Sequence, residues 1–300
     1  MTNARLLSTL NRLQDFIESK SPFHEPHMLE LDMEPDAYEQ YRTHWLAERE
    51  FFRAETRSDY PTWNCLRDWA ERHKEALLDL PHADQVELAV WAAGTFQDAL
   101  LDVFLDADVD FHLVRDSGGD LPLHAAAACQ SILLFPRLMD CSSTACHTLN
   151  AAGQTPIQVL VLARDAEEDT QWPVRFGQGK HTHCLRSVAA HDPSLLTRPF
   201  PDGNTALHLA ASLAQPMSAC KIIVEAGGAW NRPNREGVTP AQVLESNPLF
   251  TPDPTSKNPE RRREARYREA AMEQGRVPRV ATPAPQTPAR TGFLGWFKRR

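Results

Sequence analysis

Hydrophobic positions in the first eighty residues recur at helical spacing. Leu6, Leu10, Leu13 and Ile17 fall on one stripe with Leu7 beside it, and Asn3 is placed to cap the helix that carries them. Ser21-Pro22 marks the expected end of that helix. Tyr38, Tyr41, Trp45 and Phe52 follow at intervals of three, four and seven, which predicts a second helix from about Tyr38 to Arg57. A third is expected near Pro61, a residue suited to a first helical turn, and carries Trp63, Leu66, Trp69, Leu77 and Leu78. No polar cluster converges on these aromatics, so they read as core and not as a cofactor cage.

From about residue 81 to 248 the pattern becomes repetitive. The first copy is Asp116-Ser117-Gly118-Gly119-Asp120-Leu121-Pro122-Leu123-His124-Ala125-Ala126. The second opens on Asn150-Ala151-Ala152-Gly153-Gln154-Thr155-Pro156-Ile157-Gln158, the third on Asp202-Gly203-Asn204-Thr205-Ala206-Leu207-His208, and the fourth on Asn234-Arg235-Glu236-Gly237-Val238-Thr239-Pro240-Ala241-Gln242. The aligned glycines lie 34, 50 and 34 residues apart. Each copy has a mechanical meaning. Asp or Asn with Gly makes a tight turn, Thr caps a helix through its hydroxyl, and Pro loses nothing where the amide would be an orphan. In the third copy Ala219, Cys220, Ile222, Ile223 and Val224 predict a second helix that ends at Gly227-Gly228.

These copies resemble ankyrin repeats, in which a turn leads into a T-P-L-H helix start, a second helix and a G-A end. The stretch Thr205–Ala211 and the stretch Ile222–Ala229 carry the resemblance best, and Val86–Asp110 resembles a degenerate earlier copy without the T-P. The first copy departs at Leu121, where no capping hydroxyl is present, and the second and fourth have Gln158 and Gln242 in the His position. The 50-residue interval implies about 16 inserted residues near Asp165–Lys180, and the fourth copy, stopping at Ser246-Asn247-Pro248, reads as a truncated C-terminal cap. The fold expected is all-α: an N-terminal helical cap over residues 1–80, an ankyrin-like helical solenoid of about four to five units over 81–248, and a disordered Pro/Arg-rich tail over 249–300. Within that tail Glu260–Gln274 reads as a solvated helix.

Composition adds a division of charge. Residues 251–300 hold 12 Lys/Arg and 5 Asp/Glu, a net +7, while the other 250 hold 20 and 35, a net −15. An acidic body is a poor nucleic-acid binder, and the Arg residues near 261–268 are interleaved with Glu260, Glu264, Glu269 and Glu273. No apolar run reaches the roughly 20 residues that span a bilayer, no secretory signal pattern opens the chain, and six scattered cysteines suit a reducing compartment, so a cytoplasmic setting is expected, in the host cytosol if the chain is a delivered effector.

Chemistry is sparse. The chain has no G-x-S-x-G elbow, P-loop, H-E-x-x-H or Rossmann glycine fingerprint, so no catalytic residue and no cofactor is expected; an enzyme centred in residues 1–80, which include Glu25, His27, Glu30 and His44 but no paired arrangement of them, is a lesser alternative. Cys141, Cys146, His147, His181, His183 and Cys184 are zinc-type ligands whose spacing matches no finger or ribbon, and no metal site is assigned. The resemblance implies protein–protein recognition through turn tips and inner helices. The turn positions are Asp116, Ser117, Asp120, Asn150, Ala152, Gln154, Asp202, Asn204, Asn234, Arg235 and Glu236, acidic or amide-rich, which points to a partner with a basic patch. The terminal Phe293, Leu294, Trp296, Phe297, Lys298, Arg299 and Arg300 read as a segment that docks on a partner, inserts at an anionic membrane surface, or folds back on the chain's own apolar surface.

Overall fold

The computed structural model describes residues 3–18, 34–59, 64–109, 114–163 and 179–275. Among them are helices and turns and no strand. The N-terminal region holds α1 (Asn3–Glu18), α2 (Pro35–Thr56), α3 (Arg67–Arg72) and α4 (Lys74–Leu78). The stripe on α1 is buried at Leu6, Leu10 and Leu13 and is completed by Phe16, while Ile17, expected there, is only partly covered. The Phe16 ring lies 4.9 Å from that of Phe52 on α2. Trp45 and Phe52 are buried, whereas Tyr38 and Tyr41 sit half-exposed at the less covered start of α2. Arg12 clamps the pair from outside, bonded to both Glu48 oxygens at 2.8 Å and lying 3.7 Å over the Phe51 ring.

The repetitive region follows as α5 (His82–Gly94), α6 (Asp98–Asp106), α7 (Pro122–Ala128), α8 (Leu134–Cys141), α9 (Pro156–Leu162), α10 (Lys180–His191), the one-turn α11 (Ser194–Thr197), α12 (Ala206–Ala211), α13 (Met217–Glu225) and α14 (Pro240–Ser246). Two rows result. Helices α5, α7, α9, α12 and α14 each pack on the next to make an inner row, and α10 bridges α8 and α13 in an outer row. Small residues permit the close approach: Ala89, Ala92, Ala93, Ala126, Ala127, Ala206, Ala210 and Ala211 are all buried. The hydrophobic interior is one cluster from Leu6 to Ala271, so the N-terminal helices share the core of the array. The indole of Trp91 on α5 reaches back to Glu18 on α1 at 2.6 Å.

The unequal repeat spacing has a single source. From the end of each outer helix to the next turn glycine the chain runs 12 residues in three cases, Cys141 to Gly153, His191 to Gly203 and Glu225 to Gly237. The extra length lies between α9 and α10 and in the longer α10 itself. Residues 164–178, where most of the insertion was expected, lie outside the described residues.

The C-terminal end departs from expectation. Helix α15 (Pro259–Gly275) is not a solvated helix in a linker; it packs on α14. Ala271 is 2% exposed, Tyr267 meets the Trp230 ring edge-on at 6.2 Å, and Arg268 donates to the Glu245 carbonyl at 2.8 Å. The array needs something to hide the far face of its last inner helix, and α15 supplies it. Its contact stripe is one aromatic and two small residues spaced i, i+4, i+8 (Tyr267, Ala271, Gly275), which a composition rich in Arg and Glu conceals. No described helix is long and apolar enough to cross a membrane.

Candidate functional site

The four sequence copies build four successive turns on one edge of the inner row, and the same hydrogen bonds make each one. Asp116, Asn150, Phe200 and Asn234 donate their amides to the carbonyls of Asp120, Gln154, Asn204 and Val238 at 2.7–2.9 Å. Gly119, Gly153, Gly203 and Gly237 return amides to the carbonyls of the opening residues at 2.9–3.1 Å, and all four glycines have positive φ. At Gly119 the conformation is doubly required. Its φ is +88°, and a Cβ there would stand 2.5 Å from the Ala151 Cβ of the next turn.

Side chains then brace the turns from within and tie the first to the second and the third to the fourth. Asp116 Oδ1 accepts the Asp120 amide at 2.7 Å; Asn150 Oδ1 accepts those of Ala152 and Gln154; Asn234 Oδ1 accepts those of Glu236 and Val238. The remaining amide groups reach backward, Asn150 Nδ2 to Asp120 Oδ1 and Asn234 Nδ2 to Asn204 Oδ1, both at 2.9 Å. Helix starts are closed by the residue three positions on. The amides of Leu121 and Thr205 donate to Nδ1 of His124 and His208, and those of Thr155 and Thr239 to the side-chain oxygens of Gln158 and Gln242. Because Nδ1 accepts, the proton of each His sits on Nε2, which donates across to the next turn: His124 to the Gln154 carbonyl and His208 to that of Val238, both 3.0 Å. Burial lowers the pKa of both rings, against the raising effect of these carbonyls.

This geometry sorts the residues singled out from sequence. All eleven turn positions lie on the one edge. Asp116, Asn150 and Asn234 build their own turns, and Asp120 and Asn204 receive the next turn's asparagine, so these five hold the edge together. Gln154 contributes its carbonyl to His124. Ser117, Ala152, Asp202, Arg235 and Glu236 are the exposed tips. Asp202 does double duty, since its carboxylate also holds Asn204. One residue that the motif pattern passed over, Glu87, reaches the first turn from the N-terminal side and belongs to a stretch of one-sided charge. No Lys or Arg occurs between Lys74 and Arg115, whereas Glu75, Asp79, Asp84, Glu87, Asp106 and Asp108 do. Glu87 on α5 accepts the Ser117 amide of the first turn. The gap in basic residues was the signal available for this region.

Other candidates separate. Among the described residues no group of three or more His, Cys, Asp or Glu is arranged to hold a metal ion. Cys146 and Cys184 are buried, and burial pushes their thiols up to about 11 and about 12. Cys141, His147 and His183 are exposed and His181 is buried. His44 is exposed on α2, and Glu25, His27 and Glu30 lie outside the described residues, as do Phe293–Arg300.

Residues 202–235, the third turn with α12 and α13, match the ankyrin repeat family model. The chain therefore carries an ankyrin repeat, a type of unit that serves as a protein–protein interaction module. No curated protein matches the chain.

Proposed function

We propose that this chain is a non-enzymatic scaffold or adaptor that grips a partner protein along the turn edge and the exposed face of the inner row, and that the partner presents a basic patch. The observation that carries this reading is the run of exposed tips, Ser117, Ala152, Asp202 and Glu236, held in register by a backbone whose own polar groups are already satisfied. Each turn is pre-organised in this way, so binding orders little new chain within it. The acidic unit formed by α4 to α6 lies at one end of it and would raise the rate of encounter with a basic surface.

The test is photo-crosslinking from defined positions. A photoreactive residue at Ala152 or Glu236 should capture one partner, and the same residue at Arg186 or Lys221 on the outer helices should not. Capture from the outer helices alone would reject the turn edge as the recognition surface. Raising salt from low to physiological strength should slow association several-fold; a salt-independent rate would remove the basic patch from the account.

A further inference from the structure

The junction between the second and third turns lacks every tie that its neighbours make. Between the first and second turns, His124 donates to Gln154, Asn150 to Asp120, and Arg115 Nε to the Leu149 carbonyl at 3.0 Å. Between the third and fourth, His208 donates to Val238, Asn234 to Asn204, and Arg232 Nη1 to the Thr197 carbonyl at 2.9 Å. At the middle junction the His position is Gln158, which uses its oxygen on its own helix start, and the Asn position is Phe200. Arg198 occupies the place of Arg232, five residues before the turn glycine, yet among the described residues its guanidinium makes no hydrogen bond or ion pair. Asp192, whose carboxylate feels Arg198, has both oxygens engaged by the amide and hydroxyl of Ser194.

A cleft of about 310 Å³ opens at this junction. That is the lower end of the ~300–1,000 Å³ typical of ligand pockets. Ile157 from one side and Leu195, Pro199, Phe200 and Pro201 from the other make its apolar walls; Cys146 and Thr155, whose hydroxyl oxygen already accepts the Gln158 amide, line it too, and Arg198 and His147 are its exposed polar groups. The cationic group thus lies beside an apolar floor two repeats away from the acidic end of the edge.

We propose that this cleft takes a short peptide segment of the partner protein that carries an apolar side chain next to an Asp or Glu carboxylate. The apolar side chain fills the space between Ile157 and Phe200, and the carboxylate accepts the planar fork of Arg198, which matches it in a bidentate pair. The peptide stands in for the missing ties and closes the junction as it binds. This deepens the reading of the turn edge as the recognition surface. Its test uses a small probe, so it fails or succeeds independently of crosslinking at Ala152 and Glu236.

The full chain, methyl-labelled at Ile, Leu and Val, is titrated with acetyl-Phe-Glu-amide and with acetyl-Phe-Gln-amide. Saturable shifts at Ile157 and Leu195, about tenfold weaker affinity for the Gln peptide, and a similar loss in R198Q support the site; a charged hydrogen-bonded pair is worth about that factor. R198K should recover part of the loss. Arg198 is exposed, so both variants are expected to melt with the parent chain. No saturation, equal affinity for the two peptides, an unaffected R198Q, or shifts confined to other methyls would each overturn the proposal.

Discussion

The outer two junctions of the turn edge and the middle one are made from the same motif and behave as different structures. In the outer two, a His ring with one nitrogen on its own helix start and the other on the next turn acts as a rigid strut. A glutamine in the same place can cap, because its oxygen reaches the amide of Thr155, but its donor hangs from the same carbon and is not aimed across the gap. The turn's first residue matters in the same way. An asparagine ties inward and backward at once, and Phe200 can do neither, although it buries its ring. Repeat identity at the level of helices therefore does not guarantee equal coupling between repeats.

That contrast is open to direct attack. The largest effect is expected where a turn has no slack. Gly119→Ala meets both the left-handed backbone and the Ala151 Cβ at 2.5 Å and its amide nitrogen at 3.1 Å, so a loss of about 2–4 kcal/mol is expected. At Gly153 nothing lies within 4 Å of the added Cβ, and Gly153→Ala should cost only the conformational ~1–2 kcal/mol. Thermal denaturation of the two variants should rank them in that order; equal losses would mean the turns are not in close register.

An exchange of struts is next in size. His208→Gln keeps the cap and removes only the cross-turn bond, so about 0.5–1.5 kcal/mol should be lost. Gln158→His attempts the reverse at the middle junction and should raise the melting temperature modestly. If His208→Gln leaves stability unchanged in urea denaturation, the strut is ornamental.

A smaller effect concerns pH. Burial holds His124 and His208 below the ordinary histidine pKa of about 6.5. Below that pH the unfolded chain takes up protons that the folded rings refuse, since Nδ1 already accepts an amide. Stability is therefore full above pH ~6.5 and falls as pH drops toward the folded-state values. The melting temperature should decline between pH 7.5 and 5.5, and the decline should flatten when both histidines are changed to Gln.

The turns were legible because Gly, Thr-Pro and Asp/Asn state their geometry locally. What each polar turn residue does was not, because Asp116 and Asp202 look alike until the neighbouring turn is in place: one is half-buried in its own turn and the other is exposed at the tip. Phe16 was hidden beside Ile17 since either completes a stripe within the tolerance of helical spacing. The packing of α15 was hidden because Tyr267, Ala271 and Gly275 together present less apolar surface than one ordinary helix face, and their fit depends on Trp230 and Ala241, which the fold alone brings to them. The open middle junction was half legible: Gln158 stood out against His, but the unengaged Arg198 needed the structure.

The central claim is that the array is two well-tied halves meeting at a weakly tied junction. Native-state hydrogen exchange against increasing denaturant tests it most directly. Amides of α12, α13 and α14 should merge on one isotherm at a lower opening free energy than those of α5 and α7, with the border between α9 and α12. A single isotherm shared by all five inner helices would contradict it.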